Sequence, residues 1–296
     1  MTTTATSTAK RWMPSSPPSR GTGRISKVII GLVVVALFLT PYLWMVGSSL
    51  KSQQDIFKDA STLSLWTFVP QNPTLGNYLE LILQRDIGRA LFNSLLVSAV
   101  QVTFTVIVCS LAAYALTRID FRGRNLLFVL ILVTFLVPSE ALMVPMYHVA
   151  TQLGLNDSLL GIWVPWIASP FGIFLLRQAF LELPRELDEA AMIDGAGHWR
   201  IFRSVVLPNV RTPIATLALI TFMFSWNAFL WPLVIAQSPE NRVVQVAIAQ
   251  STVPGELPNW GIVFAGATLA TIPILLLFVF LQRYFVAGLA HTGLKG

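Results

Sequence analysis

The residues able to break bonds in this chain are few and far apart. Its three histidines, His148, His198 and His291, are dispersed, and no His-x-x-His or Glu-x-x-His pair supplies the spacing of a metal centre. A glycine-rich loop ending in Gly-Lys-Ser or Gly-Lys-Thr, which would cradle phosphates, is missing too. Cys109 is the single cysteine and lies in an apolar run, which excludes an intrachain disulfide and a thiolate metal cluster from this chain alone. The expectation is a non-catalytic chain with no catalytic and no metal-ligating residues. Recognition chemistry is better supplied: Trp226, Asn227, Trp231 and Asn93 offer aromatic faces for C–H stacking and amides for directed hydrogen bonds, as a sugar site needs. Glu140 is the sole carboxylate within a predicted span. It faces either a solute pathway, because charge avoids lipid, or the outer headgroups, because Pro138 ends the run before it. Trp163, Trp166 and Trp260, near span ends, are assigned to the interfacial belt.

The elements that must position these groups live in lipid. Of the 296 residues, 54% are hydrophobic and 11% charged, about half the charged share of a soluble domain, and the mean hydropathy is +0.67. A water-soluble core is excluded, because its surface needs more than 20 basic and 14 acidic side chains over this length. Uncharged runs predict six transmembrane helices, at about 28–50, 90–117, 125–147, 158–178, 212–237 and 259–282, each able to cross about 30 Å of hydrocarbon. The third run holds Glu140 between Pro138 and Pro145, which predicts a kinked or partly unwound end. None of the runs alternates apolar with polar residues, so a closed β-barrel is excluded. An all-α membrane protein follows: residues 25–296 form the transmembrane domain, and residues 1–24, rich in Ser, Thr and Pro, a disordered cytoplasmic tail.

Six spans put both termini on one side, and the basic residues choose which. Fifteen of the 20 Lys and Arg fall on the terminus side, Arg118, Arg122, Arg124 and Arg177 among them. Lys51, Lys58, Arg85, Arg89 and Arg242 fall on the other, which predicts cytoplasmic termini. These bases end apolar runs and do not interleave with aromatics, so membrane topology accounts for the net charge of +6 and nucleic acid is not a partner.

A longer cytoplasmic loop at 184–208 is the most informative segment. Pro184 can start a helix, with Glu186, Asp188 and Glu189 on the positive end of its dipole. Asp194-Gly195-Ala196-Gly197 breaks that helix, a second runs from His198 to Val206, and Leu207-Pro208 closes it. Leu187, Ala191 and Met192 form an apolar strip too small for a core and suited to a groove on a partner. The same pattern also fits a helix lying on the lipid surface, or a solvated connector.

Glu189-Ala190-Ala191, then Gly195, then Ile201 and Leu207-Pro208 resemble the EAA loop of binding-protein-dependent ABC importer permeases. Asn93-Ser94, Trp226-Asn227, Trp231-Pro232 and the ending Gln282 to Gly296 are similar to the MalG-type subunit of carbohydrate importers. This resemblance implies a type I ABC importer permease architecture whose cytoplasmic coupling-helix loop meets an ATPase through Leu187, Glu189, Ala190, Ala191, Asp194, Gly195, Leu207 and Pro208. It implies as partners a second, MalF-like permease subunit, two copies of a cytosolic ATPase and an extracytoplasmic substrate-binding protein, all at a bacterial inner membrane bilayer. No cofactor is expected in this chain; ATP and Mg are bound by the ATPase. Segments Lys51 to Arg89 and Glu240 to Glu256 would meet the binding protein, and Lys295 and Gly296 would reach the ATPase, a frayed terminus being the other reading of that tail. ATP-driven alternating access would then take up a sugar or related carbohydrate. An ion-coupled secondary transporter of a small polar solute is the competing class; it would bury several ionisable groups and show two repeated halves, neither of which is visible. No Arg lies centrally in a span, which favours a neutral sugar over phosphate-bearing cargo.

Overall fold

The computed structural model describes residues 22–61, 64–251 and 258–292, with side chains over 26–61, 64–251 and 258–280. Among these residues there are helices and turns and no strand. In chain order, α1 (Thr22–Ser49) is followed by the short α2 (Gln53–Ala60) and α3 (Gly76–Gln84), then by α4 (Ile87–Arg118), unbroken over 32 residues. Next come α5 (Arg124–Thr134), α6 (Met143–Gln152), α7 (Leu159–Trp163), α8 (Pro170–Leu181), α9 (Glu186–Ile193), α10 (His198–Ile201) and α11 (Leu207–Asn209). The chain ends through α12 (Arg211–Trp226), α13 (Leu230–Ile235), α14 (Val244–Ala249) and α15 (Trp260–Thr292).

Two compact units make up the chain, Met1–Trp44 and Met45–Gly296. Most of α1 belongs to the first, where Val28, Ile30, Leu32, Leu37, Phe38 and Leu43 are all exposed. A helix apolar on every face is made for lipid, since in water it would need a polar stripe.

In the second unit α4 is the axis against which α8 and α12 pack. A Cβ on Gly172 of α8 would meet Leu217 of α12 at 2.8 Å and the Cys109 sulfur of α4 at 2.9 Å, so the three helices pack closely at this glycine and a larger residue would have to push those two side chains aside. Buried polar side chains then tie the connecting segments down. The Asn93 amide donates to the carbonyls of Glu240 and Arg242 at 2.8 and 2.9 Å, while the Ser94 hydroxyl accepts the Val244 amide at 2.7 Å. Lys51, almost fully buried, spends its ammonium on Asp59 at 2.9 Å and on the carbonyls of Trp66 and Thr67, which uses all three donors. Asp157 accepts the Ser238 amide at 2.9 Å, and that bond holds its exposed carboxyl below the ordinary range.

By length and composition three helices can cross a membrane: Ser26–Ser49, Ile87–Arg118 and Trp260–Phe280. Two bent pairs raise the number to at most five. One joins Leu159–Trp166 to α8 through a 45° bend, the other joins His198–Asn209 to α12 through 80°. The segment expected to span at 125–147 is not one helix: α5 stops at Thr134, Pro138 lies among turns, and α6 restarts at Met143. The 212–237 segment is likewise interrupted, at Asn227 to Phe229. The bend before α8 has a local cause, Pro170 at the first helical turn with the Ser169 hydroxyl accepting the Gly172 amide at 3.0 Å.

Candidate functional site

Two regions bring the chemistry-bearing residues together, the 184–209 loop and a cavity at the helix breaks. In the loop, α9 ends in a complete left-handed stop. Ala196 N–H donates to the Ala191 carbonyl and Gly195 N–H to that of Met192, both at 2.9 Å, and Gly195 adopts φ +77°. This paired six-to-one and five-to-two pattern satisfies the last carbonyls and brings Ala191 beside Ala196, both packed on the adjoining core. A Cβ at Gly195 would touch nothing within 4 Å, so the position demands glycine for its backbone and not for space. Gly197, at φ −76°, carries no such demand.

The return path differs from the expected single helix closed by Leu207-Pro208. Residues Phe202–Val206 form a π-helical turn and α11 carries the chain through Pro208 to Asn209. Proline cannot donate and crowds the carbonyl four residues back, and the widened turn before it relieves both problems. The Asn209 amide then donates to the Val205 carbonyl at 2.7 Å.

Residues outside the loop fasten it. Arg118, at the end of α4, donates to the carbonyls of Phe180 and Leu183, each at 3.0 Å, and its Nε lies 2.9 Å from the Asp188 carboxylate in α9. The last contact is an ion pair and not an aligned hydrogen bond, with side-chain exposures of 5% and 10%. Tyr114 of α4 donates to the His198 carbonyl at 3.1 Å and meets Phe202 edge-on, ring centres 5.1 Å apart. Leu176, Phe180, Ile201 and Val206 complete the buried seam. Sequence reasoning missed Tyr114 and gave Arg118 no role beyond one of the basic residues on the terminus side, just past the predicted 90–117 span.

Glu189 makes no capping bond; it is exposed in the first turn of α9, as is Ala190 in the turn that follows. A charge there affects an exposed helix by only about 0.3–1 kcal/mol. Leu187, Met192 and Asp194 are exposed, as is Ile193 at 87% and Trp199 at 65%, while Ala191, Leu207 and Pro208 are half-buried. The loop therefore has an inner side bolted to α4 and α8 and an outer side with large apolar groups and acids.

The second region is a cavity of about 280 Å³ lined by Glu140 from the break in the third segment, Asn227 from the break after α12, Trp231 from the start of α13, and Trp166 from the bend before α8. Gln101, Ser139 and Ser225 complete its polar wall. Irregular backbone at membrane depth is tolerated where it faces a cavity, and here two interruptions and one bend meet at one. Trp231 also donates to the Gly161 carbonyl at 3.0 Å. Asn93 and Trp226 are not in its lining: Asn93 ties down the Glu240–Arg242 segment, and buried Trp226 donates to the Ala270 carbonyl at 3.0 Å and stacks on Phe222. Trp166, expected in the interfacial belt, lines the cavity instead and meets Phe224 edge-on at 5.5 Å; Trp163 stacks on Phe104 at 5.1 Å. Lys295 and Gly296 lie outside the described residues. No group of three or more His, Cys, Asp or Glu suited to a metal ion occurs among the described residues.

Residues 105–291 match the family described as binding-protein-dependent transport system inner membrane component. The arabinooligosaccharides transport system permease protein AraQ of Halalkalibacterium halodurans is 34% identical over 270 residues, covering 90% of this chain and 95% of its own. The lactose transport system permease protein LacG of Rhizobium radiobacter is 34% identical, covering 86% and 91%. The sn-glycerol-3-phosphate transport system permease protein UgpE of Brucella abortus is also 34% identical, covering 90% and 94%. In fold, the chain is similar to one in the crystal structure of a bacterial ABC transporter involved in the import of the acidic polysaccharide alginate, with a TM-score of 0.78, 22% identity and coverage of 92% and 100%.

Proposed function

The chain belongs to the family of binding-protein-dependent transport system inner membrane components, and from that premise we propose that it is one of two permease subunits of a carbohydrate importer driven by ATP hydrolysis in its partners. Relatives named for arabinooligosaccharide and lactose transport support a sugar or related carbohydrate as cargo. The second permease is a MalF-like chain, two cytosolic ATPase copies bind the ATP and Mg, and a substrate-binding protein docks on the extracytoplasmic side. Both termini face the cytoplasm, in keeping with the fifteen-to-five distribution of basic residues.

One observation carries the mechanism: the 184–209 loop is bolted to α4 through Arg118 and Tyr114 while its outer side, with Leu187, Glu189, Ile193 and Trp199, stays exposed. A segment held that way passes a push on its outer side straight into the spans. ATP binding closes the ATPases, α9 moves with them, and the spans switch access from one side to the other. The chain's own part is to transmit and to line the passage; it contributes no catalytic group.

Glu189→Lys tests this reading. The dipole term at Glu189 is too small to unfold α9, so the variant should reach the membrane at normal abundance. At an ATPase interface, where desolvation makes a reversed charge expensive, uptake should fall about tenfold or more and ATP hydrolysis should lose its response to the loaded binding protein. Unchanged uptake at equal abundance would make the loop a plain connector.

A further inference from the structure

Among the cavities, the one at the helix breaks carries an implication beyond passage. Its wall holds three polar side chains that nothing in the sequence singled out, Gln101, Ser225 and Ser139, the last donating to the Glu140 carboxylate at 3.1 Å. Gln101 sits near the middle of α4 at 3% exposure, and Ser225 near the end of α12 at 9%. The Ser225 hydroxyl has no hydrogen-bond partner in the protein. A buried hydroxyl without a partner costs about 1–3 kcal/mol, and a solute hydroxyl entering the cavity would relieve that cost. Trp166 adds an aromatic face, and Asn227 a second amide. Glu140 is the one charged residue among the fourteen that line the cavity, and none of them is basic.

We infer that this wall is a selectivity subsite for neutral, hydroxyl-rich solute: Gln101, Ser225 and Asn227 take its hydroxyls, Trp166 stacks on its C–H face, and Glu140 repels anions. The inference rests on the permease reading above and narrows its cargo. Bidentate recognition of phosphate or carboxylate calls for Arg, and this wall offers a carboxylate in its place. Relatives of similar identity are named for lactose and for sn-glycerol 3-phosphate transport, so overall similarity does not decide between neutral and anionic cargo. The cavity residues do.

Cysteine labelling in the assembled importer tests the inference. This chain would carry Cys109→Ser, to remove its one native thiol, together with Ser225→Cys, in nanodiscs holding all partner subunits. A cationic methanethiosulfonate should label position 225 about tenfold faster than an anionic one of the same size, as expected beside a carboxylate in a confined site. Adding Glu140→Gln should bring that ratio towards one. Millimolar lactose or arabinobiose should slow labelling, and sn-glycerol 3-phosphate at the same concentration should not. Equal rates for the two reagents, protection by glycerol phosphate alone, or no labelling in either the nucleotide-free or the nucleotide-trapped state would overturn the inference. Should Ser225→Cys impair assembly, Asn227→Cys reports from the same wall with the same expected ratio. The unsubstituted importer's uptake and its stimulation by binding protein are read separately, so failure of the subsite and failure of the permease reading give different results.

Discussion

At the scale of single residues, Gly195 shows how a requirement for glycine divides into space and backbone. No atom lies within 4 Å of where its Cβ would be, yet its φ of +77° places it in the left-handed region. The penalty for any other residue is therefore conformational, about 1–2 kcal/mol, and smallest for asparagine, whose side chain tolerates that region. Uptake at equal membrane abundance should fall in the order Gly195→Asn, Gly195→Ala, Gly195→Val, with asparagine near the parental rate. If bulk were the constraint, asparagine would be worse than alanine, and that order would refute the backbone account. Gly195 was legible in the sequence because a glycine after a short amphipathic helix is a local signal. Ser225 and Gln101 were not, because nothing in a serine or glutamine within an apolar run tells which neighbours a distant helix break will bring to it.

Among elements, the joint between α4 and α9 is the one whose strength can be measured. Arg118 and Asp188 are both nearly out of water, so removing one partner leaves an uncompensated buried charge, worth about 3–5 kcal/mol, while replacing both with apolar residues is often close to neutral. Asp188→Ala should therefore lower the thermal midpoint of the detergent-solubilised chain clearly, and Arg118→Met with Asp188→Leu should recover part of the loss, short of the parental value because the Phe180 and Leu183 carbonyls lose their donor. Equal midpoints for the single and double variants would show that the pair is not desolvated. Under the proposed function, the double variant should still transport poorly, because the loop would no longer be tied to α4. This joint escaped sequence reasoning because its partners are seventy residues apart, whereas α9 itself was visible as Pro184 followed by three acids and a glycine. The breaks were half legible: Pro138 announced the interruption before α6, whereas the one at Asn227 to Phe229 was read as part of a continuous span although Pro232 cannot donate to the carbonyl of Ala228 within it.

For the whole molecule, the membrane class followed from composition, since 11% charge over 296 residues cannot clothe a soluble surface, and its helical character from uncharged runs that do not alternate. Orientation rests on the distribution of bases, and it is open to direct measurement: with Cys109 replaced, Ser64→Cys should react with an impermeant reagent in intact spheroplasts and Thr4→Cys only after lysis. The opposite pattern would reverse the topology. Last, α4 holds Gln101 of the cavity wall and Arg118 of the joint on one uninterrupted helix, 17 residues or about 26 Å apart. Under the proposed function, choice of cargo and fit to the ATPase would therefore be inherited as one block. Anyone splicing two such permeases should set the seam in the turn between Arg118 and Arg124 or ahead of Ile87, because a crossover inside α4 joins one parent's cavity to the other parent's bolt.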